Sequence, residues 1–65
     1  MTAWATPTGE PIACRDKLRE LDANLAEARQ VLQDAYEDAI LMGVGPEQAR
    51  SVMADIVAQL QSPAR

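Results

Sequence analysis

The sequence contains no histidine and no phenylalanine, and Cys14 is its only cysteine. Without histidine the commonest general base is missing, and a single cysteine cannot form an intrachain disulfide. A lone thiol with scattered carboxylates also lacks the ligand spacing of structural zinc or iron sites. No nucleophile beside a base, glycine-rich phosphate loop or metal motif is present. We therefore expect a protein that is not an enzyme and that has no metal or cofactor.

Positive charge is also scarce, because 6 Lys and Arg face 10 Asp and Glu and the formal net charge is −4. Proteins bind phosphate backbones through clustered Lys and Arg, so this charge argues against a nucleic-acid partner. No apolar run approaches the roughly 18 residues of a membrane span, and the N-terminus lacks the basic and apolar regions of a signal peptide. We expect a cytoplasmic protein with no membrane partner.

A chain of 65 residues forms at most one small domain, which buries a small share of its surface on folding. Small scaffolds compensate with disulfides, metals or association. Since the first two are excluded, the sequence indicates association.

Apolar residues from Cys14 onward alternate in spacings of four and three, which is the heptad pattern of a helix with one apolar seam. Pro11 suits the first helical turn, and Gly43 suits the end of a helix. The sequence thus predicts a long helix over about 12–42. Its seam consists of Cys14, Leu18, Leu21, Leu25, Ala28, Leu32, Ala35, Ala39 and Met42.

A second helix is predicted over about 46–61, with Gly45 as N-cap, Pro46 at the first position and Ser62 and Pro63 after its end. The predicted fold is all-α: a two-helix antiparallel hairpin over 12–62. A flexible arm precedes it at 1–11, and a tail follows at 63–65.

The two predicted helices differ in length, at roughly 46 Å and roughly 24 Å. The short helix then leaves Leu18, Leu21 and Leu25 without cover, which forfeits roughly 1.5 to 3 kcal/mol for each leucine. A homodimer in the form of a four-helix bundle would bury them, in parallel or antiparallel pairing, and so would a second protein partner. The predicted interface comprises Cys14, Leu18, Leu21, Leu25, Ala28, Leu32, Ala35 and Tyr36.

Three further features are candidates for function. Trp4 in the arm is a candidate partner anchor, with packing back onto the apolar seam as the alternative. Asp34, Glu37 and Asp38 are candidate acidic docking residues, with a solvated helix face as the simpler interpretation. Cys14 is interpreted as a small packed side chain, with a cross-chain disulfide as the alternative.

The sequence therefore predicts a protein–protein interaction module, an adaptor, accessory subunit or regulator, that self-associates through the seam of the long helix. One alternative is a small acidic inhibitor from a phage or mobile element that blocks a basic nucleic-acid-binding site on its target. Another is an RNA-binding dimer of helical hairpins. The partner, the pairing direction and the ordering of the arm on binding stay open.

Overall fold

In the computed structural model, which describes residues 4–63, two helices account for most of the chain. Helix α1 spans Arg15–Leu41 and helix α2 spans Pro46–Ala58. The described residues form no sheet strand; their one β-type pairing is an isolated antiparallel bridge between Ala5 and Pro11. The prediction of an all-helical, two-helix chain is confirmed. Residues 1–3 of the predicted arm and residues 64–65 of the predicted tail lie outside the described residues.

Helix α1 begins three residues later than predicted. Pro11 is held in the bridge with Ala5, and the Ile12 amide donates a hydrogen bond of 3.0 Å to the Trp4 carbonyl. The first helical bond runs from the Leu18 amide to the Cys14 carbonyl, also at 3.0 Å. Placing Pro11 in the first helical turn was therefore wrong, because a proline with its fixed φ also suits an extended segment.

The connection between the helices follows the prediction. Gly43 has φ +97° and its amide bonds the Ile40 carbonyl at 3.0 Å, while the Val44 amide bonds the Ala39 carbonyl at 2.9 Å. These two bonds close the helix, and the left-handed Gly43 follows its last residue, Leu41, after one intervening residue, Met42. Gly45 then precedes Pro46, the first residue of α2, in extended conformation.

Helix α2 ends at Ala58, three residues before the predicted position. The Gln59 amide bonds both the Asp55 and the Ile56 carbonyl, and the Leu60 amide bonds Val57. Bonds to the carbonyl three residues earlier, as in Gln59 to Ile56 and Leu60 to Val57, tighten the last turn of a helix. The later residues leave the helix because Leu60 is exposed and Ser62 precedes a proline, so neither packing nor backbone preference extends it.

The chain divides within α1 into two units, Met1–Gln30 and Val31–Arg65, called here the N-terminal and the C-terminal unit. In the N-terminal unit the predicted arm turns back at Gly9, which has φ +91° and donates to the Thr6 carbonyl at 2.9 Å. The Trp4 indole Nε1 donates to Asp22 Oδ1 on α1 at 2.9 Å. The predicted flexibility of this arm stays a prediction; its residues 4–11 have a defined turn.

This turn changes the exposure of the first seam leucines. Leu18 and Leu21 are half-buried, as are Trp4 and Ile12, while Leu25 is 37% exposed. The expectation that Leu18 and Leu21 have no cover within the chain was therefore wrong. The physical reason is that the left-handed turn at Gly9 sends the arm back along α1 instead of extending the helix toward the N-terminus.

In the C-terminal unit, α2 packs on the second half of α1. Ala49 of α2 is buried, with 4% of its surface exposed, and Tyr36, Ala39, Ile40 and Met53 are half-buried. The Arg50 guanidinium carbon lies 5.0 Å from the centre of the Tyr36 ring. These contacts join the two helices around a small core in which only Ala49 is buried.

Candidate protein interaction surface

An apolar groove lies between the two helices of the C-terminal unit. Its volume is about 330 Å³, and three of its lining residues, Ala35, Ala39 and Ala49, offer only a methyl group. Alanine lets helices approach but fills little of the space between them. The groove is lined by Leu32, Ala35, Ala39, Val44, Ala49, Val52, Met53 and Ile56.

The larger lining residues keep much of their surface in water. Val52 is 49% exposed and Ile56 is 56% exposed, and Leu32 and Val44 are also exposed. Ala49 is the one buried hydrophobic residue among the residues described. The groove is therefore an open apolar face and not a filled core.

The end of α1 and the connection after it add further exposed apolar surface. Leu41 is 85% exposed and Met42 is 83% exposed. Scattered exposed apolar residues are normal, whereas contiguous ones mark interaction surfaces. We place the candidate interaction site in the groove, because its residues line one concave surface, and Leu41 and Met42 are not among them.

The predicted interface residues are divided between the two units. Leu32 and Ala35 line the groove, and Tyr36 lies on the same unit beside Arg50. The N-terminal unit holds the others, which are Cys14, Leu18, Leu21, Leu25 and Ala28.

The interface predicted from the sequence did not include the apolar face of α2, much of which stays open. Val52 and Ile56 are spaced as core residues of a helix, but the α1 positions in the same groove are Ala35 and Ala39. Because two methyl groups cannot cover a valine and an isoleucine, the alanines were the signal that this face is incompletely packed.

Cys14 is exposed in the described chain, and so it is not packed in a core of its own molecule. Backbone amides of Lys17 and Asp16 lower the pKa of its thiol below the usual 9.0 by hydrogen bonding to the sulfur. This effect stabilises the thiolate at the start of α1. Packing of Cys14 against a second molecule stays a prediction.

The predicted anchor and the predicted acidic cluster also have defined positions. The hydrogen bond to Asp22 holds the Trp4 indole within its own chain. Glu37 accepts a bond of 2.8 Å from the Gln33 amide on the same helix. No group of three or more Cys, Asp or Glu side chains within residues 4–63 is arranged to hold a metal ion.

A small polar cluster stabilises the turn of the arm. Glu10 accepts hydrogen bonds from the Thr8 hydroxyl at 2.6 Å and from the Thr6 hydroxyl at 3.3 Å. Both bonds lower the pKa of the Glu10 carboxyl below 4.5, the Thr8 bond more strongly. The cluster belongs to the turn of the N-terminal unit.

Comparison with protein-family models, curated proteins and solved structures finds no match. Neither described helix is long and apolar enough to cross a membrane. The function is therefore inferred from the residues and their geometry alone.

Proposed function

We propose that this chain is a non-enzymatic protein–protein interaction module that binds an amphipathic helix in the groove of its C-terminal unit. The observation that supports this proposal most is the open apolar face, in which Val52 and Ile56 remain about half exposed. A helix with an apolar stripe fits between two helices and completes a bundle.

Burial of apolar surface alone provides enough energy for weak binding only. Completing the burial of the four exposed lining residues, and of a matching face on the partner, contributes roughly 6 to 10 kcal/mol. Loss of translational and rotational freedom costs roughly 4 to 15 kcal/mol. At the favourable ends of these two ranges about 6 kcal/mol remains, which corresponds to a dissociation constant of roughly tens of micromolar. Charges around the groove should therefore have a clear effect on the affinity.

A second copy of the chain is one source of such a helix, and self-association into four helices stays a prediction. Self-association was expected because the seam leucines had no cover. That reason is weaker in the N-terminal unit, where Leu18 and Leu21 are half-buried. The alternative of a small acidic inhibitor gains support from charge, since residues 31–63 carry five carboxylates and one cation, Arg50.

The proposal is tested by placing a charge on the open face. Ile56→Asp should abolish capture of partner protein from native lysate and any self-association seen by sedimentation velocity. The matched control is Ala54→Asp, which puts the same charge at an exposed α2 position outside the groove. If the two variants behave alike, the groove is not the binding surface.

A further inference from the structure

The apolar groove of the C-terminal unit is bordered by negative charge. Asp38 stands three residues after Ala35 on α1, and Asp55 stands three residues after Val52 on α2. Residues three apart are neighbours on a helix surface. Each helix therefore carries a carboxylate next to a residue that lines the groove.

No described cation of this unit balances these carboxylates along the groove. Its one described cation, Arg50, lies over the Tyr36 ring at 5.0 Å, and neither residue lines the groove. The other described cations, Arg15, Lys17, Arg19 and Arg29, belong to the N-terminal unit.

From these observations we infer that the groove binds a basic amphipathic helix of another protein, with leucine-like side chains on one face and Lys or Arg on both sides of that face. This inference rests on the proposed function and names its partner class. The apolar stripe would contact Val52 and Ile56, and the flanking cations would pair with Asp38 and Asp55.

A second copy of the chain fits the groove less well for two reasons. Its C-terminal unit would bring a second Asp38 and a second Asp55 to the same interface, which places like charges together. Its N-terminal unit has the cations, but Leu18 and Leu21 are already half-buried there, and Leu25 is the one large apolar residue of its described part that is exposed.

The test uses two synthetic helical peptides of about 18 residues, or five turns, with identical leucine faces. One carries Lys at all other positions and the other carries Glu. Isothermal titration calorimetry with the full chain should show at least roughly tenfold tighter binding of the Lys peptide at low ionic strength. Raising the salt from about 50 mM to about 500 mM should narrow this difference, because exposed charges are screened.

Two pairs of substitutions locate the charges that matter. Asp38→Asn with Asp55→Asn should weaken binding of the Lys peptide roughly threefold to tenfold. Glu20→Gln with Glu27→Gln removes the same charge from exposed positions of the N-terminal unit and should leave the affinity unchanged. Equal losses in both pairs would show general attraction to an acidic protein and would overturn the inference.

The remaining outcomes separate this inference from the proposed function. Equal binding of the two peptides, or a wild-type dimer in sedimentation that Ile56→Asp disrupts, overturns the basic partner but keeps the groove as an interaction surface. If Ile56→Asp and the milder Ile56→Ala change neither peptide binding nor self-association, the proposed function itself fails. Circular dichroism of both variants confirms that they fold.

Discussion

The two units cover the same long helix in different ways. In the N-terminal unit, where a short turn is bonded to α1 through Trp4 and Asp22, Leu18 and Leu21 are half-buried, and only Leu25 among the described large apolar residues is exposed. In the C-terminal unit an entire second helix is present, yet nine described large apolar residues are exposed. The size of the covering element therefore does not decide how much apolar surface is buried.

The side chains at the contact explain this difference. Trp4 supplies a large ring and a hydrogen bond to Asp22. At the contact of α2 with the alanines of α1, only Ala49 is buried, and the valines and the isoleucine that line the groove stay exposed. Large aromatic rings cover much apolar area at one position, and alanine covers little. We therefore infer that the arm contact stabilises the N-terminal unit, and we propose partner binding for the groove.

The largest effect is expected from a charge in the small core of the C-terminal unit. Ala49→Asp should lower the free energy of unfolding by roughly 3 kcal/mol, because it buries an unpaired carboxylate. Urea unfolding monitored by circular dichroism measures this loss. Ala54→Asp, at an exposed position of the same helix, should cost less than about 1 kcal/mol. Equal losses would mean that Ala49 does not form a core.

Removing the Trp4 ring should destabilise the N-terminal unit. Trp4→Ala should cost roughly 1 to 3 kcal/mol locally, since a half-buried indole and its hydrogen bond are lost. Hydrogen exchange of the α1 amides around Leu18 and Leu21 should accelerate, while α2 amides should be unaffected. Trp4→Phe keeps a ring without the donor and should give a smaller change. Unchanged exchange in Trp4→Ala would contradict the role of the arm as a cover.

A backbone substitution tests the connection between the helices. Gly43→Ala should cost roughly 1 kcal/mol, because a side chain at φ +97° is strained even though the space is open. Gly43→Asn should lose less, since asparagine tolerates the left-handed conformation. Thermal unfolding compares the two variants, and an alanine variant as stable as the asparagine variant would argue against this turn.

The smallest effect concerns the polar cluster of the arm. The folded state lowers the pKa of Glu10, so its contribution to stability is present above the unfolded pKa and is lost as the pH falls through the folded pKa. Thr8→Val should raise this pKa toward its ordinary value, and Thr6→Val should raise it less. Side-chain NMR titration of Glu10 measures both shifts. The opposite order of the two variants would refute the assigned hydrogen bonds.

Much of the fold was predictable, because the spacing of apolar residues and the conformational freedom of glycine determine structure within a few residues of the chain. The heptad spacing predicted α1, and Gly43 and Pro46 predicted the connection to α2 within a residue. The start of α1 was missed because Pro11 suits both a helix start and an extended bridge, and the bridge depends on pairing with Ala5. The conformational preferences of single residues do not indicate that Pro11 pairs with Ala5.

The candidate surface was predicted only in part. Leu32 and Ala35 were identified from the seam, whereas Val44, Val52 and Ile56 were not, because periodicity shows which face of a helix is apolar but not whether its neighbour can fill the space. Likewise the sequence was compatible with Trp4 as a partner anchor and with Trp4 packed back onto its own chain. Its hydrogen bond to Asp22, eighteen residues away, depends on the turn of the arm.

The central claim is that the groove of the C-terminal unit, and not the seam of the N-terminal unit, binds a partner helix. Titration of the Leu/Lys peptide into isotope-labelled protein, followed by methyl NMR, tests it most directly. If the groove binds the peptide, the methyl chemical shifts of Leu32, Val52 and Ile56 should change, with little change at Leu18 and Leu21. Changes centred on Leu18 and Leu21, or no saturable change at the groove methyls, would contradict it.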